Sequence, residues 1–194
     1  MRELIKLIWP YYILEREDED LKKDLQVIVD KLEPGFEMVI FIPNAGIYLH
    51  DLFISIYGDR FQTGYITIRR AISSKKTNSI KKFVFKHRWL SNIMRHVEVA
   101  MRLIKTVLNL KRHRNVESSI DLSVEDKQVL IIDDSVDTGT TMIIAKKILL
   151  DMGASDVKTA CISNHLQPRK VFVDCSVYEY ALLRTTNSKD YGAK

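Results

Sequence analysis

The chain has 194 residues, which is enough to bury one hydrophobic core, and its length does not require a second domain. Its hydrophobic fraction of 46% and charged fraction of 28% are typical of a water-soluble globular protein. Apolar runs stay short of the roughly 18 to 20 residues of a membrane span, and the first residues lack a signal-peptide layout. We therefore expect one cytoplasmic domain over residues 1–194 and no membrane span.

The net charge of +5 is unevenly distributed along the chain. Residues 69–114 contain 14 Lys and Arg against the single acid Glu98, a balance of +13, so the remaining residues carry −8. We call residues 69–114 the basic segment. Such a segment attracts polyanions, which include a diphosphate, nucleic acid and an acidic membrane surface.

Cysteine and histidine usage gives little sign of a metal site. The two cysteines, Cys161 and Cys175, do not form a Cys-x-x-Cys pair, and no histidine lies at ligand spacing from them. Neither a disulfide framework nor a zinc site is predicted, and we name no metal-ligating residue. We expect both cysteines to be buried as small apolar side chains. The scattered histidines 87, 96 and 113 are expected at the surface.

Apolar periodicity predicts alternating strands and helices in chain order. After a packed apolar segment over 1–14, the predicted helices are 20–32, 48–57 and 142–150. The predicted strands are 38–42, 64–68, 129–132 and 157–162, and short strands or a hood are expected over 171–174 and 177–183. Continuous apolar runs such as 38–42 suit strands buried on both faces of a parallel sheet. The pattern predicts an α/β domain.

Residues 71–114 interrupt this alternation. A polar stretch over 71–78 predicts a loop, and residues 88–112 place apolar side chains on one helical face over about six turns. We interpret the long amphipathic helix as packed on the core or at a homodimer interface. A basic face for nucleic acid or an acidic membrane is the alternative.

The most specific stretch is Val129 to Thr141. Four apolar residues are followed by Asp133 and Asp134, at the strand end where open α/β sheets bind ligands. Small and hydroxyl residues around Gly139 then lead into a helix, whose N-terminus favours an anion. Vicinal ribose hydroxyls donating to the carboxylates and a 5'-phosphate at the loop would suit these residue types. Aspartate-nucleophile phosphatases and receiver domains also place acids at a strand end, but they lack the Thr-Gly-x-Thr loop.

These thirteen residues resemble the phosphoribosyl-diphosphate (PRPP) motif of the type I phosphoribosyltransferases, and the acid at position 137 resembles the hypoxanthine and xanthine members. The resemblance spans roughly residues 39–174 and implies a doubly wound, mostly parallel α/β sheet with flanking helices, a long helical insertion and a small hood. It implies transfer of the 5-phosphoribosyl group from PRPP to a nucleobase nitrogen, a purine being favoured, as in nucleotide salvage, with Mg²⁺ neutralising the leaving diphosphate. The residues implied to bind PRPP are Asp133, Asp134, Asp137, Thr138, Gly139, Thr140 and Thr141, and Asp137 is also the implied general base.

Other sequence features of the family are present only in part. The diphosphate loop is expected at Asn44, Ala45 and Gly46, which lack the family's basic residue, with Arg69 as a further diphosphate contact. Lys75 and Lys76 are candidates for a closing loop. Ser163-Asn164-His165 stands where the hypoxanthine-type enzymes begin with a lysine that reads the purine, and Phe172 is the expected base-stacking residue.

A second function remains open at this point. A protein that keeps the PRPP pocket as a sensor, or as a relic, would work by binding nucleic acid through the basic segment. A steep salt dependence of nucleic-acid affinity would indicate this regulator.

Overall fold

A computed structural model describes residues 12–43, 46–70, 89–90, 92–94, 96–97, 116–120, 122–137, 139–165, 173–186 and 188. Its main feature is a six-stranded sheet in the order β4-β3-β2-β5-β6-β7. The strands are β2 (Met38–Phe41), β3 (Gln62–Arg70), β4 (Val116–Ile120), β5 (Gln128–Val136), β6 (Asp156–Asn164) and β7 (Cys175–Glu179). All neighbours are parallel except β4, which runs antiparallel to β3 at one edge.

Helices cover both faces of this sheet. They are α1 (Asp18–Leu32), α2 (Gly46–Tyr57) and α3 (Thr140–Asp151), and a 3-10 turn at Gly58–Arg60 follows α2. The described residues between 89 and 97 are also helical. Among the described residues, no helix is long and apolar enough to cross a membrane.

The central strands are apolar on both faces because each face has its own helices. On one side of the sheet, Val39 and Leu130 belong to a cluster with residues of α1 and α2. On the other side, Ile40 and Ile131 belong to a second cluster with residues of α3. Successive strand side chains point to opposite faces, so a strand covered on both sides has no polar positions. This explains the continuous apolar runs of β2 and β5.

The chain reverses its winding direction between β2 and β5. These two strands are parallel neighbours, with Phe41 beside Ile132, but the chain leaves β2 towards β3 and leaves β5 towards β6 on the opposite side. The crevice at the carboxyl ends of such a strand pair is where open α/β sheets bind ligands. The fold therefore places the end of β5 and the start of α2 at one edge.

A second, two-stranded sheet joins the two ends of the described chain. It consists of β1 (Tyr12–Arg16) and β8 (Ala181–Thr185), which pair in parallel with Glu15 opposite Arg184. Arg184 is 2% exposed, and its guanidinium donates to Glu15 Oε1 at 2.7 Å and to Asn92 Oδ1 at 2.6 Å. Asn92 belongs to the helical residues 89–97, so the buried arginine fastens that helix to the small sheet.

The observed elements differ from the sequence predictions mainly at non-local and polar strands. The segment predicted over 1–14 contributes Tyr12–Arg16 to a strand, and β4 lies in a stretch for which we predicted no element. In the C-terminal region the strands lie at β7 and β8, and residues 173–174 precede β7 outside any strand. Cys161 and Cys175 are free and buried, as predicted.

Candidate active site

Strand β5 brings two acids to the carboxyl edge of the sheet. The prediction that the strand stops at Ile132 is wrong, because β5 continues to Val136 and pairs with β6 as far as Val136 beside Asn164. Asp133 and Asp134 therefore lie within the carboxyl-terminal half of the strand, and both are half-buried. The backbone N–H of Asp134 donates to Asp133 Oδ1 at 2.9 Å.

The two carboxyl groups have unfavourable surroundings when ionised. Burial raises the pKa of Asp133 well above its usual value, and the neighbouring Asp134 carboxylate raises it further. Burial also raises the pKa of Asp134, although hydrogen bonds from Asp133 and the Ser135 backbone act in the opposite direction. Two adjacent acids with raised pKa values favour a ligand that supplies hydrogen-bond donors or positive charge.

A pocket opens beside these acids, with about 340 Å³ of space that includes some open solvent. Its lining residues are Asp133, Ser135, Val136, Asp137, Gly139, Thr141 and Met142. The alternate positions 133, 135 and 137 share the pocket, as the two-residue period of an extended chain requires. Asp134 is not among the described lining residues, but its side chain hydrogen-bonds to that of Asp133, so its carboxyl group lies next to the pocket.

The loop after β5 forms the N-terminus of α3 against this pocket. Gly139 is the N-cap residue with φ of 63° and ψ of −4°, and its carbonyl accepts the Ile143 N–H at 2.9 Å. This left-handed conformation favours glycine, because a Cβ would be strained there. Gly139 and Thr141 both line the pocket, so the positive end of the helix dipole is directed at it.

Asp137 is paired with a histidine that directly follows the neighbouring strand β6. Asp137 Oδ1 and His165 Nδ1 are 2.7 Å apart, and the two side chains are 37% and 11% exposed, respectively. The His165 backbone N–H donates to the Val136 carbonyl at 2.9 Å, which fixes the residue after β6 beside the end of β5. Sequence reasoning noted His165 only in place of a lysine and missed this pair.

The structure describes only part of the other predicted site residues. Gly46 starts α2 after the carboxyl end of β2, and Arg69 is the last residue but one of β3. The Ile42 N–H donates to the Ile132 carbonyl at 3.2 Å, so the chain leaving β2 stays beside β5. Thr140 is the first residue of α3. Asn44, Ala45, Thr138 and Phe172, together with Lys75 and Lys76, lie outside the described residues.

Comparison with known proteins assigns the chain to a family. A family model described as a phosphoribosyl transferase domain matches residues 65–180, which is more than half of the chain. The chain belongs to this family. The resemblance drawn from the residues 129–141 is thereby confirmed. No protein in a comparison with curated sequences matches this phosphoribosyltransferase-family chain.

Solved structures support the same fold. A purine phosphoribosyltransferase from Pyrococcus horikoshii Ot3 is 17% identical with a TM-score of 0.58, and the match covers 89% of this chain and 92% of that one. A hypoxanthine phosphoribosyltransferase from Staphylococcus aureus is 14% identical with a TM-score of 0.53, covering 84% and 74%. A hypoxanthine-guanine phosphoribosyltransferase from Bacillus anthracis is 11% identical with a TM-score of 0.52, covering 84% and 78%. The predicted doubly wound, mostly parallel sheet is confirmed.

Proposed function

We propose that this phosphoribosyltransferase-family protein moves the 5-phosphoribosyl group of PRPP to a ring nitrogen of a nucleobase and releases diphosphate. The observation that carries the proposal is the pocket where Asp133, Asp137 and the Gly139 turn meet at the carboxyl end of β5, one of the two strands between which the sheet reverses its winding. Carboxylates for sugar hydroxyls and a helix N-terminus for a phosphate stand there side by side, which matches the two ends of a phosphorylated ribose.

We assign the ligand groups to residues as follows. Asp133 and Asp134 accept hydrogen bonds from the ribose hydroxyls, and these donors would stabilise the ionised form that burial disfavours at both carboxyl groups. The loop of Thr138, Gly139, Thr140 and Thr141 takes the 5'-phosphate. Residues 44–46 and Arg69 take the diphosphate, and Phe172 stacks against the base.

The reaction breaks the bond between the ribose C1 and the diphosphate oxygen and forms a bond from C1 to the acceptor nitrogen. The electron pair of the broken bond leaves with diphosphate, and the acceptor nitrogen must lose its proton. Asp137 accepts that proton, and His165 at 2.7 Å orients the carboxylate. Most of the remaining catalysis is positioning of the two reactants within the pocket.

Magnesium fits this site as an ion carried by the substrate. The described residues contain no group of three or more His, Cys, Asp and Glu that would form a metal site. Mg²⁺ commonly keeps several waters and is held mainly by substrate phosphates, so a protein cage is not needed. When bound, the ion supplies charge neutralisation for the leaving diphosphate.

A purine is the acceptor we favour. Position 137 carries an acid, as the hypoxanthine-type motif does, and the similar structures include purine and hypoxanthine phosphoribosyltransferases. Ser163, Asn164 and His165 stand in place of the expected lysine, and the His165 side chain is paired with Asp137.

We propose that the reaction takes place in the cytoplasm. We also propose that residues 1–194 form one domain, and the pairing of β1 with β8 supports this.

A nucleobase panel tests the proposal. The protein is incubated with PRPP and Mg²⁺ and with adenine, hypoxanthine, guanine, xanthine, uracil or orotate in turn, and diphosphate release is measured. We expect release that depends on one purine and disappears in a variant with Asp133→Asn and Asp134→Asn. A variant with Leu150→Ser, an exposed position at the far end of α3, is the matched control and should keep full activity.

Two results would overturn the proposal. If the wild-type protein binds PRPP but releases diphosphate with no base in the panel, the proposed transfer reaction is wrong and the protein only binds PRPP. If diphosphate is released with a pyrimidine alone, the transfer reaction is supported and the purine assignment is wrong.

A further inference from the structure

Three polar side chains join the small two-stranded sheet to the rest of the fold. Asp24 belongs to α1, Arg16 is the last residue of β1, and Tyr178 belongs to β7. Arg16 Nε lies 3.2 Å from Asp24 Oδ2, and the Tyr178 hydroxyl donates to Asp24 Oδ1 at 2.9 Å. The Arg16 guanidinium also lies 4.5 Å from the centre of the Tyr178 ring. We call Asp24, Arg16 and Tyr178 the Asp24 cluster.

The carboxyl group of Asp24 is the buried member of this cluster. Asp24 is 4% exposed, whereas Arg16 is half-buried. Although Arg16 Nε and Asp24 Oδ2 lie close together, these two buried atoms make no well-directed hydrogen bond within the described part of the chain. An ion pair offsets the cost of burial only when its geometry is good and its remaining polar atoms are hydrogen-bonded. The ionised carboxylate is therefore the less favoured form of Asp24 at this position.

The titratable groups on the neighbouring elements leave this balance in place. Burial is the largest influence on the pKa of Asp24 and raises it to about 6, while Arg16 acts to lower it and Asp20 of the same helix acts to raise it. From α2, Tyr48 donates its hydroxyl to the first turn of α1, and from β6, Lys158 reaches the last turn of α1. Both of these side chains lie away from Asp24, so burial decides the direction.

The small sheet also contacts the side of the candidate active site that is next to β6. The Ser163 hydroxyl donates to the first carbonyl of β8, and the Tyr180 N–H donates to the Asn164 carbonyl at 2.8 Å. His165 directly follows Asn164 and is paired with Asp137. Detachment of the small sheet therefore removes contacts from the strand end that leads to His165.

The small sheet is thus attached at the Asp24 cluster and beside the pocket. When it detaches from α1, Arg16 leaves Asp24 and the carboxyl group becomes exposed to water. We propose that the Asp24 cluster is a proton-controlled attachment, which holds the small sheet more tightly when Asp24 is protonated. A proton stabilises the state that binds it more strongly, and the buried carboxyl group of the attached state binds it more strongly than the exposed one. The proposal is independent of the transferase reaction.

Native-state hydrogen exchange of the full chain tests this attachment. Amides of β1 and β8 are followed by mass spectrometry, with amides of β5 as the reference for global unfolding, and each rate is corrected for the intrinsic pH dependence of exchange. We expect β1 and β8 to exchange faster than β5, because the small sheet opens without global unfolding. With a pKa of 3.8 for exposed Asp24 and of about 6 for buried Asp24, the opening equilibrium should rise about tenfold between about pH 5 and pH 7.5.

Two variants and a control connect this rise to Asp24. Asp24→Asn keeps the shape of the side chain without its titration, so the opening of β1 and β8 should no longer depend on pH. Arg16→Met removes the cation that favours ionisation, so the rise in opening should move to higher pH. Gln26→Asn changes an exposed, uncharged residue of α1 and should keep the tenfold rise. Urea unfolding establishes that each variant is folded.

Three results would contradict the proposal. Exchange of β1 and β8 at the same corrected rate as β5 would show that the small sheet does not open separately. Separate opening that changes by less than about twofold across this pH range would show that the proton of Asp24 does not control it. A tenfold rise that persists in folded Asp24→Asn would assign the control to another titrating group.

Discussion

A buried carboxyl group next to the small sheet makes the stability of this protein pH-dependent in an unusual direction. Asp24 in α1 is 4% exposed, lies 3.2 Å from the Arg16 guanidinium of β1, and accepts a hydrogen bond from the Tyr178 hydroxyl at 2.9 Å. Burial raises the pKa of Asp24 from 3.8 to about 6, although Arg16 acts to lower it. We expect the replacement Asp24→Asn to remove this titration.

The size and sign follow from the two pKa values. An acid whose pKa is raised in the folded state binds its proton more tightly there, so folding is most favourable below pH 3.8. The contribution falls as the pH rises from 3.8 to about 6 and stays constant above that. The interval is roughly 2 pH units at about 1.4 kcal/mol each, so about 3 kcal/mol of unfolding free energy is lost.

Urea unfolding at pH values between 4 and 7.5 measures this effect as the difference between wild type and the Asp24→Asn variant. Other groups titrate in both proteins and cancel in the difference. We expect the wild type to lose about 2.4 kcal/mol relative to the variant across this range, because the Asp24 carboxyl of the unfolded chain is already more than half ionised at pH 4. The matched control is Gln26→Asn, an exposed and uncharged residue of the same helix, for which the difference should stay nearly constant because no titrating group is removed. A difference for Asp24→Asn that changes by less than about 1 kcal/mol would refute the reasoning.

Three further predictions concern the candidate active site. Replacing Asp137 by Asn should lower turnover by about 10² to 10⁴ and leave PRPP affinity nearly unchanged, since the base is lost and the shape is kept; steady-state kinetics decide this, and normal turnover would assign Asp137 a structural role. Replacing His165 by Leu should lower turnover by about tenfold, because the hydrogen bond to Asp137 is worth about 1.5 kcal/mol. The pH profile of turnover should also change, and an unchanged profile would show that His165 serves only to pack beside Asp137. Replacing Gly139 by Ala should weaken PRPP binding in calorimetry and lower the unfolding free energy by about 1 kcal/mol, because φ is 63° at this position. Wild-type PRPP affinity in this variant would show that the turn does not contact the phosphate.

The central strands of the sheet could be predicted from the sequence because each is specified by a continuous local run of apolar residues. Val129 to Ile132 and Met38 to Ile42 are continuous apolar runs, and both are covered on the two faces of the sheet. The acids and the Gly139 turn follow one of these runs directly. A local motif of this kind therefore predicted both the family and the edge of the sheet that carries the pocket.

Features that depend on distant residues were not predictable in this way. β1 and β8 pair across almost the whole chain, and β4 has a polar edge-strand sequence without an apolar run. The Asp137 and His165 side chains meet across 28 residues because β5 pairs with β6 beyond the expected strand end. The buried Arg184 has no sequence signature, since its position depends on Glu15 and Asn92 from separate segments.

The central claim is that the pocket beside β5 binds PRPP through Asp133 and Asp134. Calorimetric titration of PRPP with Mg²⁺ into the wild type and into the Asp133→Asn, Asp134→Asn variant tests it most directly. We predict saturable binding to the wild type and none to the variant, whose melting temperature should be equal or higher because burial and mutual repulsion disfavour both carboxylates. A folded variant that binds PRPP with wild-type affinity would contradict the account.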